Sequence, residues 1–156
     1  MSAAPLSQQS FDSLDAMMEA YAKQAVRLAE DDHGMTLDYT PESILRLETV
    51  LAARIPVPES EQEEATRLWG AYYGEVFRKK FRGGWIMAVH PGQYGSGQLN
   101  SGRSDAGEEM AMPALDIRGS HVYPLLKVFR RLTIGPSEDL AAFYARVSDA
   151  LDAKAK

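Results

Sequence analysis

The residues most able to do chemistry gather around two short apolar runs in the second half of the chain. His90 ends the run Trp85-Ile86-Met87-Ala88-Val89-His90, and Asp116, Arg118, His121 and Tyr123 flank Gly119-Ser120. Read as strands, with side chains alternating between faces, these runs send His90, Asp116, Arg118, His121 and Tyr123 to the side away from the core. Two imidazoles and a carboxylate are a donor set for a metal or for proton transfer. A wet outer sheet face accounts for the same residues. A second candidate is Gly70 and Gly74, one helical turn apart beside Tyr73 and Phe77. Each glycine inside a helix costs about 1 kcal/mol relative to alanine. Either another element approaches closely there, or a ligand or partner backbone lies on the bare edge. Gly95-Ser96-Gly97 is a weak phosphate cradle, because no helix follows to supply an anion-binding N-terminus. The chain has no G-x-x-x-x-G-K-[ST], H-E-x-x-H or G-x-S-x-G motif. His33 reads as an ordinary favourable charge at a helix C-terminus. Neither a catalytic residue nor a metal nor a cofactor is assigned.

The element that must position these residues is the stretch Ala65 to Trp85. It holds both tryptophans and the densest basic cluster, Arg78-Lys79-Lys80-Phe81-Arg82. Leu68, Trp69, Tyr72, Tyr73, Val76 and Phe77 recur at steps of three and four, the period of a core-facing helix. Glu75 falls outside that arc and pairs in sequence with Lys79 at i,i+4. The acidic run Glu59-Ser60-Glu61-Gln62-Glu63-Glu64 favours a helix start near Ser60, and Gly83-Gly84 predicts its end.

At 156 residues the chain is most simply one domain, with a hydrophobic fraction of 45% and a charged fraction of 25%. It has no cysteine, which excludes disulfides, thiolate metal sites and a cysteine nucleophile. No signal-peptide pattern and no long apolar run appears, so a cytoplasmic protein without membrane attachment is expected. Residues 1–64 carry 13 acids and 4 bases, the remainder 9 acids and 13 bases. Either the acidic part docks on the basic part, or the cluster at Lys127, Arg130 and Arg131 and that at Arg78–Arg82 serve an anionic partner. Nucleic acid is disfavoured by a pI of about 5.2 and the lack of a recognised motif.

Residues 1–9 read as a flexible leader and 10–152 as one α+β domain. Ser10 is the expected cap of a helix over Phe11–Asp32, whose stripe Phe11, Leu14, Met18, Tyr21, Ala25 and Leu28 packs internally or forms a homodimer seam. His33-Gly34 stops it. Thr40 and Pro41 predict the next helix start, and Pro56 and Pro58 its end. In the sheet, Trp85, Met87 and Val89 should share the core face with Leu115, Ile117 and Val122. Pro91 to Met110, rich in glycine and serine, reads as a mobile loop. Gly119-Ser120 predicts a two-residue II′ hairpin turn. Pro124 opens a fourth helix and Ser137 caps a fifth, with 153–156 frayed. The expected fold is a three-stranded antiparallel meander with about five helices, most on one face.

Leu37-Asp38-Tyr39-Thr40-Pro41-Glu42-Ser43, Gly70-Ala71-Tyr72-Tyr73-Gly74-Glu75-Val76 and Trp85 together resemble a small bacterial family of unknown function. Tyr123-Pro124-Leu125-Leu126-Lys127-Val128-Phe129-Arg130-Arg131-Leu132, Gly135 and Phe143-Tyr144 continue the likeness. It implies a single α+β domain and no activity. The reading that follows is a non-enzymatic soluble bacterial interaction protein: an adaptor, a regulator or an immunity-type partner-binding protein. The alternatives are a small-ligand binder using the Gly70/Gly74 edge and an enzyme built on His90, His121 and Asp116.

Overall fold

A computed structural model describes residues 6–89 and 111–154. Among these the chain forms five α-helices and a three-stranded antiparallel sheet, an α+β fold. The helices are α1 (Leu14–His33), α2 (Ser43–Arg54), α3 (Glu59–Phe81), α4 (Pro124–Thr133) and α5 (Leu140–Lys154). The strands β1 (Gly84–Ala88), β2 (Met112–Ile117) and β3 (Ser120–Val122) lie in the order β1-β2-β3. His90 and the loop expected at 91–110 lie outside the described residues.

The apolar arc of α3 makes it the centre. Trp69, Tyr72, Tyr73, Val76 and Phe77 are all buried, and α1 and α4 pack chiefly against this helix. Of the α1 stripe, Met18, Tyr21 and Ala25 are buried in the same core, together with Ala22 and Ala29, while Phe11, Leu14 and Leu28 are half-buried. Leu6 starts a 3₁₀ turn and packs on the core, so the described part of the leader is folded. At the other end α5 continues to Lys154, past the expected fraying point.

The helix ends depart from expectation in instructive ways. Ser13 rather than Ser10 caps α1, its Oγ accepting the Ala16 N–H at 3.0 Å; Gly34, at φ 64°, closes it as expected. The Thr40 and Pro41 signal marks a turn just before α2. Thr40 Oγ1 accepts the Ser43 N–H at 3.2 Å, and Asp38 holds the Thr40 hydroxyl at 2.6 Å. Arg82, not a glycine, takes the left-handed position after α3 (φ 63°). Gly83 is needed for a different reason: a Cβ there would stand 2.6 Å from Ile117 Cγ1 and 2.8 Å from the Asp116 carbonyl. Asp139, not Ser137, caps the start of α5, accepting the Ala142 N–H at 2.8 Å.

The hairpin turn is Arg118-Gly119, with Ile117 opposite Ser120 and Leu115 opposite Val122. Both turn residues have positive φ, 55° and 85°, as in a type I′ turn rather than II′. The register is thus displaced by two residues from expectation. A slip of one would have inverted the faces; a slip of two preserves them. Leu115, Ile117 and Val122 accordingly still join Trp85 in the core. Met87 and Val89 do not: they are 55% and 46% exposed. The helix layer reaches the Trp85–Leu115 pair, while Met87 sits opposite Pro113 and Val89 lies beyond the last pair of the strand.

Candidate functional site

The sheet face expected to carry chemistry gathers part of its set, Asp116, His121 and Tyr123, but not Arg118. His121 is exposed opposite Asp116. The Asp116 carboxylate instead accepts the Gly119 N–H at 2.9 Å and stabilises the turn. Arg118 turns away: its Nη1 donates to the Leu151 carbonyl at 3.3 Å, and its guanidinium lies 5.8 Å from the Phe81 ring centroid. The Tyr123 hydroxyl donates to the Val89 carbonyl at 3.3 Å. His121 thus keeps two of the expected residues beside it, Asp116 across the strand pair and Tyr123 edge to face at 6.5 Å. Among the described residues no group of three histidines and carboxylates is placed to hold a metal.

The Gly70/Gly74 edge is filled by the protein itself. A Cβ on Gly70 would stand 2.8 Å from Leu125 Cγ and 2.9 Å from Leu125 Cα. A Cβ on Gly74 would overlap the six-membered ring of Trp85 and approach Pro124 Cγ to 3.1 Å. Tyr73 and Phe77 are fully buried, and the Tyr73 hydroxyl donates to the Leu140 carbonyl at 2.6 Å. Burial raises the Tyr73 phenol well above its ordinary pKa. This edge is a helix–helix and helix–sheet contact, the first of the two readings offered for these glycines, and the alternative of a bare ligand-binding edge finds no space there.

Glu75 is also corrected. It is 1% exposed and does not serve Lys79. Its Oε2 accepts the Trp85 indole N–H at 2.8 Å and Arg78 Nε at 2.7 Å. Arg78 Nη2 also bonds Glu19, and Asp15 accepts the Trp85 backbone N–H at 2.7 Å. A buried carboxylate is stable only when its charge is matched and hydrogen-bonded, and this network meets both conditions. The hydrogen bonds that Arg78 donates raise its pKa, those to Glu75 foremost. These contacts lock α1, α3 and β1 together, so part of the acidic first half does dock on the basic second half.

Among the described residues, two grooves open to solvent stand out. One, of about 700 Å³, has Trp69, Leu28 and Val57 in its lining, with Arg54 stacked 5.2 Å from the Trp69 ring centroid. The other, of about 800 Å³, runs between β3, α4 and α5 and takes in His121 and Tyr123. Its apolar lining includes Val122, Leu126, Phe143, Val147 and Leu151. Lys127, Arg130 and Arg146 line it as cations and Glu138 as the acid. Lys127 Nζ and the Arg146 guanidinium lie 5.2 Å and 5.9 Å from the Phe143 ring centroid, which holds both charges beside the aromatic surface. Among the described residues no carboxylate lies within ion-pair distance of Arg146.

Sequence reading marked Lys127 and Arg130 as a basic cluster but joined them to Arg131. At i,i+3 and i,i+4 the three do share one side of α4, but burial separates them. Arg131 is buried, 3.7 Å from Glu48, whereas Lys127 and Arg130 line the groove. Phe143 entered the sequence reading through the family resemblance, and Arg146 carried no signal. The chain matches no family model, and no curated protein or solved structure proved similar to it.

Proposed function

We propose that this is a non-enzymatic interaction protein, of the adaptor, regulator or immunity type, whose binding face is the groove between β3, α4 and α5. Its occupant is an acidic amphipathic segment of a protein partner. The observation that carries this reading is the combination in one open groove of an apolar floor and a cationic rim, Lys127, Arg130 and Arg146 against Glu138, the one acid of its lining among the described residues. An amphipathic helix or strand lays its apolar face on such a floor, and its carboxylates meet the rim. Complementary charge then sets orientation and speeds encounter more than it adds raw affinity.

The test uses a fluorescent synthetic peptide in which leucine and glutamate recur at helical spacing, together with a counterpart carrying lysine for each glutamate. Fluorescence anisotropy should report binding of the acidic peptide only, weakening as salt is added. Arg146→Glu and Lys127→Glu should each abolish it while leaving the far-ultraviolet circular dichroism spectrum intact. Equal binding of both peptides, or acidic-peptide binding indifferent to these variants, would overturn the reading.

A further inference from the structure

Within that groove one contact stands out by its chemistry. Glu138 lies on the connection between α4 and α5, where its N–H donates to the Gly135 carbonyl at 3.0 Å. Its carboxylate reaches back over α4. Oε1 accepts Lys127 Nζ at 3.0 Å and Arg130 Nε at 2.9 Å, and Oε2 accepts Arg130 Nη2 at 3.3 Å. This is the two-pronged guanidinium–carboxylate pairing that makes arginine selective for planar anions, reinforced by an ammonium one helical turn away. The Glu138 side chain is 15% exposed, so the triad forms at the groove wall rather than in open solvent.

We infer that Lys127 and Arg130 form a carboxylate subsite, that Glu138 is its resident occupant, and that an acidic side chain of the partner displaces Glu138 when the groove fills. The inference deepens the proposed function and rests on it for the identity of the displacing group. Three features support it. The triad is local to a connection rather than to the core network around Glu75, so Glu138 can leave without disturbing a buried element. Glu138 already shows which chemistry the two cations select. Finally, Arg146 remains as a cation with no carboxylate partner among the described residues, beside the same Phe143 ring. An incoming acidic segment therefore meets one open cation first and a second, exchangeable subsite next to it. Exchange of one carboxylate for another conserves charge and hydrogen bonds at the subsite. The affinity of the partner thus comes from the apolar floor and from Arg146, while the Glu138 contact sets a threshold that weak or wrongly spaced acids do not cross.

Two measurements test this, and they fail separately. The first uses hexanoate, a carboxylate on a short apolar tail, with thermal unfolding as the readout. Glu138→Gln should gain a hexanoate-dependent rise in Tm that wild type lacks at the same concentration. The double variant Glu138→Gln/Arg130→Ala should lose it. No rise in Glu138→Gln, or an equal rise in the double variant, overturns the subsite whatever the peptide does. The second repeats the acidic-peptide titration with Glu138→Gln. Removing a competing charged partner should tighten binding by about tenfold. Unchanged or weaker binding by Glu138→Gln would show that Glu138 does not compete and would overturn the displacement step. Loss of peptide binding by wild type and variant alike, with the hexanoate response present, would instead refute the choice of a protein partner and leave a small-carboxylate site.

Discussion

Replacing Gly74 with alanine adds one methyl group at the most closely approached of the described glycines. The new Cβ overlaps the Trp85 ring and stands 3.1 Å from Pro124 Cγ. Neither neighbour can yield freely. Pro124 is buried at the first turn of α4, and Trp85 is 6% exposed with its indole N–H bonded to Glu75 at 2.8 Å. On an open helix edge the substitution would stabilise by about 1 kcal/mol through helix propensity. Here overpacking costs about 1–3 kcal/mol. If the indole swings away to relieve it, a hydrogen bond to a buried charge is lost as well, worth about 1.5–3 kcal/mol. The net expectation is a destabilisation of about 2–4 kcal/mol. Urea unfolding followed by tryptophan fluorescence is the assay. With a slope of about 2 kcal/mol per molar, the midpoint should fall by about 1–2 M at unchanged slope. A raised or unmoved midpoint would refute the reasoning, since it would require an empty edge beside Gly74.

Further outcomes follow from the same contacts. Trp69→Ala, at a site 1% exposed, should cost about 3–5 kcal/mol in the same assay; a melting temperature within a degree or two of wild type would contradict the central role of α3. The hydrogen bond from Arg130, with Lys127 behind it, holds the Glu138 carboxyl below its usual 4.5. A depressed folded pKa contributes stability above the unfolded value and loses it as pH falls through the folded one. The stability gap between wild type and Glu138→Gln should therefore be full at neutral pH and close below about pH 4.5, as pH-dependent urea unfolding would show. At the alkaline end, burial raises the phenols of Tyr39, Tyr72, Tyr73 and Tyr144, that of Tyr39 to about 12. Raised values support the fold below pH 10 and lose that support as pH climbs through the folded pKa. Absorbance titration should accordingly find at least these four phenols ionising late, together with alkaline unfolding.

What sequence could convey depended on the range of the interaction. The α3 arc, the α1 stripe and the alternation in β2 are local periodicities, and each predicted its buried face. The glycines of α3 were also legible: their helix penalty implied a close contact, and Leu125 and Trp85 supply it. Cap positions moved by a few residues because several serines, threonines and aspartates compete for each helix start. At the hairpin, Gly119 satisfies a II′ turn at its first position or a I′ turn at its second. Arg118 adopting positive φ decides between them, which local preference opposes. Glu75 was misread because i,i+4 pairing gives it a sufficient partner in Lys79. Its true partners include the Trp85 indole, which only the folding of β1 onto α3 brings within reach. The groove was the least legible feature, since Lys127, Glu138 and Arg146 meet only when α4 and α5 fold back on β3.

The central claim is that the β3, α4 and α5 groove is the binding face. Two-dimensional proton–nitrogen NMR of the labelled protein, titrated with the acidic amphipathic peptide, tests it residue by residue. The predicted result is a contiguous set of shifted amides at His121, Leu126, Lys127, Arg130, Phe143 and Arg146, with those around Trp69 and Arg54 unmoved. Shifts centred on the Trp69 groove, or none anywhere under conditions where the basic counterpart peptide binds, would contradict it.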